Sequence, residues 1–416
     1  MFVRITNTPR PYAWGSTTAL AQLLGTEPTG EPEAELWLGA HPGSPSIILD
    51  PGFPPDLAAW IADDPAAALG PLAASGRLPF LLKILAAASP LSLQAHPTPA
   101  QAAFGFAREN ALGIPLDSPE RNYRDAYPKP ELIYALSPTF DALCGFRPVE
   151  SARALVNSFL DADSRRADPQ PQPLEDLLQS LHSDDAPRTT LEWLLSNGAG
   201  VASLVSLVTE LAPSVSGFTL ECSTVEELSV EYPGDPGIVI SLLLNRVRLV
   251  QGEALYLPAG NIHAYLEGVW VELMAASDNV LRGGLTPKHV DVAELLSVLD
   301  FRTQPVPYLA PIVVSPALEL FRPDALEDGG AGVELAGADA GAGASGVGFE
   351  LARVTGDAKL DLVGPAIATC TAGSFTVAGS VSTYSVRHGE SVYITPEEAR
   401  LAITGDGALF VATTGR

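Results

Sequence analysis

Lysine is scarce in this chain of 416 residues. Only Lys83, Lys129, Lys288 and Lys359 occur among its 24 basic residues, the rest being arginine. Positive charge is in deficit overall, since 49 acidic residues leave a formal net charge of −25. Nucleic-acid binding needs clustered Lys and Arg, and anionic membranes repel such a chain, so neither is expected as a partner. Cysteine is rarer still. Cys144, Cys222 and Cys370 are odd in number and form no Cys-x-x-Cys pair, which argues against a disulfide framework and a thiolate zinc site. Long apolar runs are missing too. The longest uncharged stretch, 84–107, is broken by Pro90, Gln94, His96, Pro97 and Pro99 and cannot span a bilayer. The opening residues, MFVRITNTPRPYAWGS, lack the apolar core of a signal peptide, so a cytoplasmic location is expected.

What the chain does have is apolar material: 46% hydrophobic residues against 18% charged ones, enough for large cores. Its length implies two or three domains. Short alternating runs such as FVRITN and SPSIILD read as strands, LPFLLKIL (78–85) as a buried strand, LSLQAH (91–96) as another. Thr98 before Pro99 is a candidate N-cap, predicting a helix after Pro97. Between Val149 and Leu211 apolar residues recur at three- and four-residue steps, predicting a block of amphipathic helices. Strand patterns return from Gly237, beginning with GIVISLLLNRVRL, and the tail from Phe349 is rich in short strands without crossover helices. Such strands build antiparallel sandwiches or jelly rolls. The stretch 329–348 is Ala/Gly-rich and is expected to be a flexible linker. The segments GEALYLPAGNIHAY (252–265) and GESVYITPEEARLAI (389–403) form a weak repeat, with Leu401 where the first copy has His263. The fold class expected is mainly β, two jelly rolls plus a helical insertion.

The strongest local signal for chemistry is LSLQAHP. Residues two apart on a strand share a face, so Gln94 and His96 project together. His263 follows a Pro-x-Gly turn at the start of another strand, and Glu131 sits in the apolar run KPELIYAL. A lone carboxylate there is costly unless paired or bound to a metal. Two imidazoles, a carboxylate and a neutral fourth group match a zinc shell; the alternative is three unrelated residues, each satisfied separately. Lys83, Lys129, Arg282 and Lys288 fall near these segments and suggest a local anion pocket, phosphate being the natural guess; salt bridges are the plain alternative. Glu272 alternates with apolar neighbours and is either a general base or an ion-pair partner of Arg282.

Taken together, YAWGS (12–16), ELWLGAHPGSPS (35–46), LPFLLKILAAASPLSLQAHP (78–97), KPELIYAL (129–136), FDALCGFRP (140–148), LPAGNIHAYLEG (257–268) and ELMAASDNVLRGGLTPKHVD (272–291) resemble the type I phosphomannose isomerase family, zinc-dependent cupin enzymes. The resemblance spans nearly the first 300 residues in family order. It implies one zinc per chain, held by Gln94, His96, Glu131 and His263. It implies interconversion of mannose 6-phosphate and fructose 6-phosphate through a cis-enediol, with zinc as Lewis acid. Arg282 matches a catalytic arginine that would stabilise the enediolate charge. Ser92, Lys83, Lys288 and Tyr265 match substrate-binding positions. Glu272, Lys129 and a metal-bound water remain open as proton carriers. Many members have Asn-His before Lys-Pro-Glu; here Tyr127 and Pro128 stand instead, which adds weight to Lys129.

The domains expected are a catalytic cupin jelly roll from 1–148 and 215–300, a helical insertion over 149–214, and a metal-free jelly roll over 301–416. The partner expected is a small sugar phosphate, and the chain a monomer. Two other readings stand beside this: a cupin enzyme of different chemistry, such as an iron or copper dioxygenase, and a non-catalytic sugar-phosphate-binding protein.

Overall fold

The computed structural model describes residues 1–183, 185–323 and 348–415. Its strands form two sheets, one of nine strands and one of ten, with antiparallel pairing throughout the described residues. The segment 329–348, apart from Gly348, lies outside those residues.

The arrangement follows from side-chain alternation on strands buried on both faces. Along the strand Phe80–Ala87, Leu82, Ile84 and Ala86 point into the core between the sheets, while Leu85 and Ala87 point into the first barrel and Lys83 into its cavity. The strand Glu131–Ala135 repeats the scheme, with Leu132 and Tyr134 outward and Glu131 and Ile133 inward. The long strand His263–Ala275 does so again through Val271 and Leu273 against Trp270 and Glu272. Residues from the second sheet, among them Ile367, Tyr393 and Phe410, complete the intersheet core. The second barrel has its own apolar filling, which includes Leu401.

The strands Phe2–Thr6 and Ile47–Ile48 belong to the second sheet, not the first: Phe2–Ile5 pair with Ser391–Ile394. Chain order alone groups them with the catalytic segments, but their alternating apolar side chains Val3 and Ile5 fill the intersheet core. Helices occupy Val149–Asp163, Gln172–Ser180, Ala186–Leu195, Val201–Leu211 and Thr219–Glu231, so the block runs past residue 214. Its last turn, Gly237–Ile240, replaces the first part of the strand expected from Gly237; the strand begins only at Leu244. Ile238, Val239 and Ile240 are buried on all sides, and a fully buried apolar run has no period to tell helix from strand. The helices pack on Leu93, Ala95, Ile262, Ala264 and Leu281, the outer faces of the strands that carry the site.

Candidate metal centre

The short strand Gln94–Ala95 lies between two partners: Gln94 is opposite His263 on one side and Arg282 on the other. The strand ends at Ala95, His96 and Pro97 lead out of it, and the helix Pro99–Ala111 follows, its Thr98 cap and Gln101 forming a reciprocal capping box. The His96 carbonyl accepts from the Gly260 N–H at 2.8 Å, pinning the turn that delivers His263. Gly260 has φ +82°, a left-handed conformation that glycine adopts without strain.

His96, Glu131 and His263 are all buried, with ligand atoms within 4.8 Å of one another. Their hydrogen bonds decide what they can do. His96 Nδ1 faces the Asn279 carbonyl at 2.8 Å, and His263 Nδ1 faces the Asn261 carbonyl at 3.0 Å. A carbonyl only accepts, so each Nδ1 carries the proton and each Nε2 is a bare lone pair. Neither Nε2 has a hydrogen-bond partner, yet they lie 3.2 and 3.5 Å from the two oxygens of Glu131. Lone pairs aimed at a buried carboxylate repel unless a cation lies between them, so the donor set fits a zinc ion. Burial, with Lys129 adding to it, pushes His96 down to about 4, keeping its ring in the neutral, ligating form. Burial alone would raise the Glu131 pKa. Lys129, at 2.7 Å, outweighs it and holds the carboxyl well below its ordinary range. Tyr265 donates to the Glu131 Oε2 at 2.5 Å.

A cavity of about 530 Å³ opens beside these residues, and Gln94, Ser92, Lys83, Lys129, Glu272 and Tyr265 line it. Glu272 reaches it because a β-bulge between Tyr265 and Glu267 adds a residue to the long strand. His263 and Tyr265 face inward before the bulge; Trp270 and Glu272 do so after it. Lys83 is the direct cross-strand neighbour of Glu272, with its Nζ 3.1 Å from Glu272 and 3.5 Å from Glu35. Burial opposes the ammonium, but these carboxylates raise its pKa. Burial, opposed by Lys83 and aided by Glu131, raises that of Glu272. The residues Glu35, His41 and Asp278, to which the sequence assigned no role, are also in the wall; His41 Nε2 lies 3.2 Å from Asp278.

The four expected cations therefore divide. Lys83 and Lys129 are paired with carboxylates near the ligands. Arg282, 3.5 Å from Ser92 Oγ, and Lys288 lie at the outer end of the cavity with no carboxylate partner among the described residues. Tyr127 turns outward beneath Arg77, whose guanidinium is 3.5 Å from its ring centre, and neither Tyr127 nor Pro128 lines the cavity.

Fold and site together define a class: a metal-dependent cupin enzyme whose cavity carries unpaired cations at its outer end. The profile described as "Phosphomannose isomerase type I, catalytic domain" matches residues 2–149. Mannose-6-phosphate isomerase of Escherichia coli (strain K12) is 36% identical over 411 residues, covering 98% of both chains. The crystal structure titled mannose 6-phosphate isomerase (holo; zinc bound) matches with TM-score 0.84 and 33% identity over 100% of both chains. The apo form from Salmonella typhimurium matches with TM-score 0.83 and 33% identity, over 100% of this chain and 99% of that one. The chain belongs to the type I mannose-6-phosphate isomerase family.

Proposed function

We propose that the protein interconverts mannose 6-phosphate and fructose 6-phosphate, with one zinc held by Gln94, His96, Glu131 and His263. The observation that carries this reading is the pair of bare, buried Nε2 atoms facing Glu131 beside a cavity whose outer end bears unpaired cations. Zinc bound there supplies a Lewis acid for the sugar oxygens.

The chain's own residues supply the proton transfer. Glu272 takes the proton from C2 of the open-chain aldose and returns it to C1, while the hydroxyl proton of O2 passes to O1, so the carbonyl moves from C1 to C2 through the cis-enediol. Its raised pKa suits a base that must also give the proton back. Lys83 holds Glu272 in place and stands within reach of the sugar. Lys129, ion-paired to Glu131 at 2.7 Å, is a worse base and keeps that carboxylate charged. Tyr265 orients Glu131. Arg282 steadies the charge of the enediolate, with Ser92 beside it, and Lys288 takes the phosphate. Ring opening needs a proton moved between sugar oxygens. Pro128 has no group for it, and His41 with Asp278 is the pair in the cavity wall that we place there. The three free thiols suit a reducing cytoplasm. No helix among the described residues is long and apolar enough to cross a membrane. A single chain holds the whole constellation, in keeping with a monomer.

A dioxygenase reading is not favoured: it would use a His-rich iron or copper shell, whereas this shell includes Gln94. A coupled assay separates catalysis from mere binding. Protein of measured metal content is given mannose 6-phosphate, and fructose 6-phosphate is followed with and without chelator. Turnover that stops with chelator and returns with zinc is expected. No turnover in a folded, zinc-loaded sample would overturn the enzyme reading.

A further inference from the structure

Beside the metal cavity lies an outer chamber of about 660 Å³, which shares the Arg282 and Lys288 wall with it and is also lined by Arg124. Arg124 belongs to none of the motif segments. Its place is nonetheless built: its backbone N–H donates to Oδ1 of Asn279 at 2.7 Å, and the same side chain donates to the Asp125 carbonyl at 2.9 Å. Asn279 is fully buried, three residues before Arg282, so the Arg124 loop and the Arg282 strand are stapled at one point. The Arg124 guanidinium is exposed and makes no ion pair among the described residues; Arg282 and Lys288 make none either.

The two carboxylates in the chamber wall do not offset them. Asp278 is engaged by His41 at 3.2 Å, and Asp117 is not within ion-pair distance of any of the three. Arg121, also in the wall, is spent on Glu109 and on the carbonyls of Ile114 and Tyr123. Three unpaired cations converging in a molecule of charge −25 repel one another. Burial and then Arg124 lower the pKa of Arg282, and burial, Arg282 and Arg124 lower that of Lys288. Such a set is retained at a cost unless an anion joins it.

We infer that Arg124 is a phosphate-binding residue, joining Lys288 in the outer chamber of the site so that both cations hold the phosphoryl group of the sugar. This rests on the reading of the substrate as a sugar phosphate. The side chain touches the phosphate and not the reacting carbons, so its loss falls on binding and not on the chemical step.

The test uses zinc-loaded wild-type, Arg124→Ala and Arg124→Lys proteins. For Arg124→Ala, KM for mannose 6-phosphate is expected to rise about tenfold with kcat within about twofold, and Arg124→Lys to recover most of the loss. Inorganic phosphate, titrated calorimetrically, should bind Arg124→Ala about tenfold more weakly, with the melting temperature unchanged because the backbone staple remains. If the wild type turns over but Arg124→Ala matches it in KM and phosphate affinity, the inference is overturned and the catalytic reading stands. A fall in kcat at unchanged KM would overturn it as well. If the wild type turns over nothing while phosphate affinity still drops in Arg124→Ala, the anion cradle stands and the enzyme reading falls.

Discussion

At the scale of single residues, the centre depends on two imidazoles whose protons are fixed on Nδ1 by carbonyl acceptors. His263→Ala is expected to lose both zinc and turnover, read by metal analysis of the purified variant; stoichiometric zinc with full activity would rule out this ligand set. Arg282→Ala is expected to keep its zinc and lose turnover by roughly a hundredfold, as for one transition-state charge partner. An unchanged kcat would remove Arg282 from the chemistry. Much of this site was legible in the sequence, because strand alternation puts Gln94 and His96 on one face and a lone Glu131 in an apolar run demands a partner. Arg124, His41 and Glu35 were not legible. Their roles depend on which strand or loop lies opposite, as when Lys83 meets Glu272 across the ladder, and no local spacing encodes that.

At the scale of elements, the bulge in the strand His263–Ala275 decides which residues enter the cavity. Gly268 follows it at φ +133°, and an added Cβ would meet Ser137 Oγ at 3.0 Å and Phe140 Cα at 3.1 Å. Gly268→Ala should therefore cost about 1–3 kcal/mol, measured by denaturant unfolding. A neutral result would mean that the bulge tolerates a side chain. The helix Thr219–Glu231 brings a different liability. Burial first, and then Glu267, push Glu227 up to about 7 from its ordinary 4.5, with Asp141 and Glu231 adding to the rise and Arg246 opposing it. A folded pKa above the unfolded one means that the protonated form favours the fold. The cost is absent below about 4.5 and complete above about 7. Glu227→Gln should raise stability at pH 8 by about 1 kcal/mol or less after solvent screening, and leave it unchanged at pH 4.5. Equal melting temperatures for the two proteins at pH 8 would count against this. Helices between 149 and 211 could be read from their period, whereas the turn at Gly237–Ile240 could not, since burial on every side erases the pattern.

At the scale of the whole molecule, the two barrels share one core, in which Leu82, Val271, Ile367 and Tyr393 are neighbours in the same cluster. Calorimetry of the zinc-loaded protein should accordingly give one cooperative transition; two well-separated ones would show that the barrels melt independently. The two-jelly-roll plan was legible from strands without crossovers, but not the assignment of Phe2–Thr6 to the second barrel. That pairing with Ser391–Ile394 has a consequence for biosynthesis. The contact joins residues roughly 390 apart, which puts it among the contacts of highest sequence separation and hence slowest closure. As the ribosome extrudes the chain, residues 2–6 emerge early and must wait, their edge unpaired, until residues 391–394 have left the exit tunnel. The catalytic barrel can assemble its own strands sooner, but the core it shares with its neighbour is sealed only once residues 391–394 are available. Truncated or prematurely released chains would thus expose an apolar sheet face and become clients for chaperones.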